Sequence, residues 1–412
     1  MKKHVLAALI AAAIPIAGCA TTGATTAGST QAYAAAQSDI ARLTAQADAH
    51  PLLKAWEGPH GGVPPWDQAN PELLPTAFEI GIALQQAEVD AIANNPAAPT
   101  FENTITAMQS AGAHLDRAGV IFGVMSANVS TPAVQAVQAE WAPRLTAAAN
   151  AITFNRALFN RIDTLYQSRA SLNLSPTQLR LLERTHSQFV RAGAALTPEQ
   201  QTRLGAINQE LSSQFTEFNR RLLADENSAI FINSERDLAG LPQGIRDALR
   251  AAAVERGQPN AWAVVNTRSS VDPFLTFSEN RRLRQQVWTA FKNRGDNGDA
   301  NDTNGIISNI LRLRAERAQI LGFETHAHLR MADTMAQDPD RAQDLMMRVW
   351  PAAVARVREE VADMQAIANR QRANITIEPW DYLFYAEQVR RDRYSLNQNE
   401  VREYFVLDNM VE

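Results

Sequence analysis

The spacing of apolar residues along most of the chain predicts α-helix. In the clearest segment, Pro198 to Asp225, apolar side chains recur every three or four residues, and Gln, Arg and Glu occupy the other side. The apolar positions are Leu204, Ile207, Leu211, Phe215, Phe218 and Leu222. Burying side chains of this kind and number contributes on the order of 10 kcal/mol before conformational entropy is subtracted. We therefore interpret this segment as a core helix.

Similar spacing predicts further helices on both sides of this segment. Thr100 is a candidate N-cap for one helix and Ser278 for another. Two later apolar stripes are Ile307, Leu311, Ala315 and Ala318, and Leu345, Val349, Ala353, Val357, Val361, Met364 and Ala368. Pro351 lies inside the second stripe, so we expect a kink or a new helix start there.

Residues 228–277 change character, because they contain three short runs of β-prone side chains. The runs are Ala229–Ile232, Trp262–Val265 and Phe274–Phe277, and a helical segment around Leu241–Arg256 lies between the first two. They predict a sheet of two or three strands inside a helical protein. The predicted fold class is therefore mainly α, a large multi-helical scaffold with a small β element around residues 229–277.

The first nineteen residues predict an export signal and no part of the fold. Lys2–His4 form a positive start, and Val5–Ile16 form an apolar stretch too short to span a bilayer. Ile16–Cys19 then places small residues before the chain's single cysteine. This pattern resembles a bacterial lipoprotein signal, in which Cys19 receives the lipid; an ordinary cleaved secretory signal is the alternative.

The residues after Cys19 predict a flexible tether between the anchor and an ordered domain. Residues 20–50 begin rich in Ala, Thr, Gly and Ser and become more helical towards Leu43. The ordered domain, residues 51–412, is expected to begin near Pro51. Ala20 follows the pattern of lipoproteins sent to the outer membrane. We expect an exported protein on the periplasmic face of that membrane, which contacts lipid only through its anchor.

Composition narrows the class of protein. The chain has 412 residues, of which 45% are hydrophobic and 20% charged, so a sizeable core is available. The formal charge of −5 argues against a nucleic-acid surface, which needs a concentrated basic face. A nucleic-acid partner is therefore not expected.

Two candidate metal sites fail on spacing. A zinc hydrolase helix needs two histidines four residues apart, and the nearest pair, His326 and His328, points to different sides of a helix. The acidic stretch 294–302 resembles a calcium loop, but in the register starting at Asp299, Asn304 stands where Gly is needed and Ile310 where Glu is needed. We interpret these as exposed histidines and a polar loop, and predict no metal ligand.

No other group of residues predicts catalysis. Glu359 and Glu360 pair with nearby arginines on a charged helix face, and His186 beside Ser187 is not a catalytic pair. Arg281, Arg282 and Arg284 are interpreted as a helix surface, with peptide carboxylates as a weaker alternative partner. The sequence predicts no catalytic residue.

Four segments stand out as motifs: residues 95–105 (NPAAPTFENTI), 189–196 (FVRAGAAL), 293–336 and 378–412, the last containing Trp380-Asp381 and Tyr404-Phe405. In this order they resemble the thimet oligopeptidase family of zinc metallopeptidases, in its bacterial peptidyl-dipeptidase (dipeptidyl carboxypeptidase) and oligopeptidase A branch. The resemblance covers roughly residues 52–411. It implies two helical lobes flanking a deep channel that admits short peptides, of which this chain would form one wall, and a zinc ion that polarises the scissile carbonyl.

The family's H-E-x-x-H zinc helix has no counterpart in this sequence, so no zinc ligand and no catalytic residue is carried over. We therefore expect the amino-terminal part of a lipid-anchored peptidase, with zinc in the full-length enzyme and none in this chain alone. The alternatives are a non-catalytic peptide-binding lipoprotein, or a partner of a separately encoded catalytic half, and a helical scaffold of unrelated function. A missing half would leave an exposed apolar patch around Trp350, Trp380, Phe384 and Phe405.

Overall fold

Helices form most of the structure, which is a computed structural model that describes residues 22–59, 62–395, 401 and 404–411. The chain divides into two units between Gly205 and Ala206, and each unit is described by itself. The helices of the first unit are α1 (Thr22–Ala49), α2 (Leu74–Ala93), α3 (Ala107–Ser110), α4 (Ala113–Asn128), α5 (Pro132–Thr153), α6 (Arg156–Gln167) and α7 (Pro176–Ala192). The division falls within α8 (Pro198–Glu226).

The second unit contains a small sheet and further helices. Its helices are α9 (Gln243–Glu255), α10 (Arg268–Phe277), α11 (Arg281–Lys292), α12 (Asn304–Ile320), α13 (His326–Met331), α14 (Pro339–Arg370), α15 (Tyr382–Tyr394) and α16 (Leu407–Val411). Strands β1 (Ala229–Ile232) and β2 (Trp262–Val265) pair antiparallel, with Ala229 opposite Val265 and Ile232 opposite Trp262. The predicted mainly α class with a small β element is confirmed.

Of the two or three strands predicted, two form the sheet, and the third run, Phe274–Phe277, ends helix α10. Val271, Phe274 and Leu275 are buried at helical spacing, and Arg268 pairs with Asp272 one turn later at 2.9 Å. The composition of this segment favours a strand, but its apolar residues can be buried at helical spacing, and this packing decided the structure.

The predicted flexible tether is also wrong for residues 22–49, which form α1. Leu43 and Ala47 are buried against α2, and Asp48 contacts the His114 ring at 3.1 Å. The high alanine content is typical of a flexible tether but also favours helix. Small side chains also let two helices approach closely. The ordered first unit therefore begins well before Pro51, whereas Cys19 and the rest of the predicted signal lie outside the described residues.

One predicted helix cap is confirmed and the other is wrong. Thr100 and Asn103 form a reciprocal capping box at the start of a short π-helix, Phe101–Thr106. Helix α11 instead begins after Asn280, whose side chain accepts a hydrogen bond from the backbone N–H of Leu283 at 3.1 Å. Ser278 terminates α10 and is fully buried.

The two later stripes are only partly buried. In α12 the row that packs on α8 is Ile306, Ile310 and Leu313, while Ile307 and Leu311 are exposed, so the predicted register is wrong. Helix α14 runs through Pro351 without a new start. Its apolar residues are buried only near its end, at Met364, Ile367 and Ala368.

Across the described residues, we find no helix that combines the length and the apolar character needed to cross a bilayer.

Candidate functional site

A buried ion-pair network joins α11 to the short 3-10 helix Pro379–Asp381. Asn280 caps α11, which places Arg281 and Arg284 one turn apart on the side that meets Asp381. Arg284 donates to Asp381 Oδ1 at 2.7 Å from Nη2, and Arg281 donates to Oδ2 at 2.8 Å from Nη2 and 3.0 Å from Nε. Asp381 is fully buried and Arg284 is 2% exposed. These charges are therefore compensated inside the protein.

Arg284 also holds two backbone carbonyls near this carboxylate. It donates to Ser278 O at 2.8 Å and to Trp380 O at 3.3 Å. The hydrogen bond with Asp381 raises the pKa of Arg281, which stays charged. Arg281 and Arg284 are thus an internal anchor rather than the helix surface that the sequence predicted. Their carboxylate partner is Asp381 of the same chain.

An apolar cavity of about 520 Å³ lies beside this anchor. Helices α10, α11, α14 and α15 and residues 377–379 form its walls. The side chains that define its character are Leu275, Trp288, Phe291, Ile377, Tyr382 and Leu383. A volume of this size and an aromatic lining fit an apolar side chain or a small ligand.

A few polar groups stand at the edge of this cavity. Tyr382 donates its hydroxyl to Glu360 Oε2 at 2.9 Å, and burial raises the pKa of Tyr382. Lys292 and Asp272 also line the cavity, and Asp272 is paired with Arg268. The cavity can therefore bind apolar groups and orient a polar one, but it does not combine a nucleophile with a base.

The acidic loop 294–302 folds around a buried carboxylate. Asp225 accepts hydrogen bonds from the Gly295 backbone N–H at 2.7 Å and from the side-chain amides of Asn297 and Asn301 at 3.0 and 3.2 Å. Gly295 has a φ of +74°, and a Cβ there would lie 2.7 Å from Thr303 Oγ1. The loop connects α11 and α12, and its amides bind a carboxylate.

The histidines that the structure describes do not form a zinc site. His328 Nδ1 lies 2.8 Å from Thr325 Oγ1, His186 Nε2 contacts Asp163 at 3.0 Å, and the His186 ring stacks on Tyr166 at 3.8 Å. Within the described part of the chain, no cluster of three His, Cys, Asp or Glu side chains could hold a metal ion. The described residues do not fit the zinc that the resemblance implies, so we derive no step through that metal.

The first half of α14 exposes an apolar face. Trp350 is 62% exposed, and the other exposed apolar residues here are Leu345, Met346, Met347, Val349 and Val357. Phe405 is 67% exposed, as predicted for this region. Trp380 and Phe384 are half-buried instead, because Trp380 packs edge-on against Trp288 and Phe384 against Tyr385. We name residues 345–357 of α14 the α14 face.

These features define a class of protein: a helical scaffold with an internally anchored apolar cavity and an uncovered helix face. Comparison with known proteins shows which family has this class of structure. Residues 274–412, which include the anchor, the α14 face and all the cavity-lining residues except Asp272, match peptidase family M3.

The relatives cover most of this chain. It is 35% identical over 350 residues to the dipeptidyl carboxypeptidase of Escherichia coli strain K12, a match over 84% of this chain and 51% of the relative. It is 35% identical over 337 residues to the dipeptidyl carboxypeptidase of Salmonella typhimurium, over 82% of this chain and 50% of that protein. It is 28% identical over 350 residues to oligopeptidase A of Haemophilus influenzae, over 84% and 51% respectively.

The match to peptidase family M3 lies in residues 274–412, and the resemblance of the chain to the thimet oligopeptidase family and its peptidyl-dipeptidase branch is confirmed. The chain spans about half the length of these curated relatives.

Proposed function

We propose that this chain is the amino-terminal part of a zinc-dependent peptidyl-dipeptidase or oligopeptidase that hydrolyses short peptides. The observation that carries the proposal is the 35% identity to a dipeptidyl carboxypeptidase over 84% of the chain. In this proposal the chain supplies scaffold and peptide contacts. The zinc ligands and the general base come from a segment that this sequence does not contain.

The proposal predicts that this chain alone neither binds catalytic zinc nor cleaves peptides. No two histidines in the sequence are four residues apart, so the H-E-x-x-H spacing that family zinc chemistry needs is not met. The test is metal analysis and a quenched-peptide assay on the purified chain, alone and co-expressed with the remaining region of its gene. Activity only in the co-expressed sample is the expected result, and metal-dependent turnover by the chain alone would overturn the proposal.

The cavity is the feature of this chain that best suits a peptide. We infer that it accepts an apolar side chain of the substrate, since its walls are aromatic and aliphatic. Leu275→Trp should fill the cavity and weaken the binding of peptides with large apolar residues. The control is Leu311→Trp on the exposed side of α12, and equal peptide affinity in the two variants would contradict this role.

A non-catalytic peptide-binding lipoprotein, or a partner of a separately encoded catalytic half, is the second candidate. The cavity favours it, because binding an apolar side chain requires no metal. If the chain alone binds peptides and the remaining region adds no hydrolysis, this second candidate is the correct one.

We also propose that Cys19 carries a lipid that holds the protein at the periplasmic face of the outer membrane. The support is the small-residue sequence before the only cysteine of the chain. Wild-type protein should label with a fatty-acid analogue in bacteria and fractionate with the outer membrane. Cys19→Ser should lose both properties, whereas labelling of that variant would contradict the assignment.

A further inference from the structure

Four cationic or titratable side chains come together where α12 meets α13. Arg314 and Arg317 are three residues apart on α12, and His326 and Arg330 are four residues apart on α13, so each pair shares one helix face. The two helices pack against each other across a short turn, in which Gly322 has a φ of +80° and Phe323 N–H donates to Ala318 O at 2.9 Å. We call Arg314, Arg317, His326 and Arg330 the basic cluster.

The basic cluster has polar atoms that lack partners. Arg317 Nε and His326 Nδ1 are buried and have no hydrogen-bond partner among the described residues. Throughout that part of the chain, none of the four side chains forms a hydrogen bond or an ion pair with a carboxylate. Arg314 instead lies over the Phe215 ring, with its guanidinium carbon 5.0 Å from the ring centroid. Buried polar atoms without hydrogen-bond partners are uncommon in proteins, because each costs its full desolvation.

Two carboxylates on or beside these helices contact side chains outside the basic cluster. Glu316 pairs with Arg312 at 3.8 Å, and Glu324 lies 3.9 Å from the His328 ring.

The electrostatics agree with this geometry. Burial lowers the pKa of Arg317, and the neighbouring Arg330 and Arg314 lower it further. Burial also lowers the pKa of His326, as do Arg314, Arg317 and Arg330. Burial is the main cause of both lowered pKa values, and the positive charge of the neighbouring arginines adds to it; an anion would offset that added part.

We propose that the basic cluster binds a small dianionic oxyanion of the phosphate class, either free or as a phosphate monoester. The three guanidinium groups carry more positive charge than the single negative charge of a carboxylate can balance. A phosphate carries two negative charges and has enough oxygen atoms to accept hydrogen bonds from several donors. Arginine is well suited to it, because its planar fork donates two parallel hydrogen bonds to such an anion. This site is separate from the cavity beside Asp381 and does not depend on peptide hydrolysis.

Inorganic phosphate is the first probe, titrated calorimetrically into the purified full chain in a phosphate-free buffer. Wild type should bind it, and Arg330→Gln should bind it at least about tenfold more weakly, a loss of about 1.4 kcal/mol. Arg312→Gln is the matched control, because it removes the same charge from α12, the helix that carries Arg314 and Arg317, but Arg312 is 56% exposed and paired with glutamates. Equal affinity in wild type and Arg330→Gln would overturn the proposal.

Three further measurements separate the possible anions and protect the test against misfolding. Sodium chloride at matched ionic strength should give no saturable binding; saturation by chloride equal to that by phosphate overturns the oxyanion assignment. Acetate or a dipeptide with a free carboxylate should bind more weakly than phosphate, and the reverse order overturns the phosphate class. Arg317→Gln should also lose binding, and if it fails to fold, the exposed Arg330 variant decides the outcome alone.

Discussion

At the scale of single residues, burial decides which charged side chains have a structural role. Arg281, Arg282 and Arg284 look alike in sequence, yet Arg284 is 2% exposed and bound to a fully buried Asp381. The partner lies 97 residues away in the chain, so no local pattern could reveal it. The helix that carries these arginines was predictable, and their role as an internal anchor was not.

Asp381→Asn should destabilise the second unit by about 3–5 kcal/mol, because it leaves Arg284 buried without a counter-charge. Arg281→Gln is the milder comparison, since Arg281 is 39% exposed and water can replace part of its interaction. Denaturant unfolding followed by circular dichroism measures both changes. Similar losses in the two variants would mean that burial of the pair does not set its importance.

Glu217 should make stability depend on pH in the acid range. The hydrogen bond from Arg220 lowers the pKa of Glu217 to about 2 from an ordinary value of 4.5, and Arg221 also donates to it. A lowered pKa means that its contribution is complete above 4.5 and is lost as the pH falls from 4.5 towards about 2. The contribution is about 1 kcal/mol or less, because the carboxylate is partly exposed.

Unfolding of wild type and Glu217→Gln across this pH range tests the sign. The difference in unfolding free energy should be largest near neutral pH and shrink in acid. Glu255→Gln, which removes an exposed carboxylate on α9, controls for the change in net charge. A difference that grows as the pH falls contradicts the assignment.

At the scale of elements, helix prediction succeeded where one face is buried and failed where a helix has more than one apolar row. In α12 both Ile306 and Ile307 begin a plausible stripe, and only packing against α8 selects Ile306. Helix α1 was mistaken for a tether because alanine supports flexible, helical and packed states alike. Its burial against α2 is a tertiary property.

Leu43→Ala should destabilise the first unit by about 2–5 kcal/mol, because Leu43 is buried between α1 and α2. Gln46→Ala, on the exposed side of the same helix, should have little effect. Hydrogen exchange adds an independent measurement, since amides near Leu43 should be protected in wild type. Rapid exchange there, with no effect of Leu43→Ala, would restore the flexible tether.

At the scale of the whole molecule, two observations have one common explanation under the proposed function. They are the exposed α14 face and the match to only about half of the length of the relatives. Several large apolar residues lie exposed along one helix, which monomeric proteins rarely tolerate. Under the proposed function, a segment outside this sequence would cover this face. The basic cluster is a second whole-molecule feature, because its charges come from two helices and its counter-charge comes from neither.

The chain alone should self-associate through the α14 face. Trp350→Ser should shift light-scattering masses towards monomer, because it removes the largest exposed apolar side chain on that face. Arg348→Ser, an exposed polar position on the same helix, is the control. A wild-type chain that stays monomeric and melts cooperatively would favour the self-contained peptide-binding module.

The sequence by itself determined the helical class, the family and the failure of the zinc and calcium spacings, because these depend on periodicity and on residues close together in the chain. Only the tertiary structure decided which of several apolar rows is buried, that residues 22–49 pack as a helix, and that Asp381 anchors α11. Each of these depends on contacts between distant segments. In these contacts, burying a charge or an apolar side chain changes the free energy of folding far more than local helix or strand propensity does.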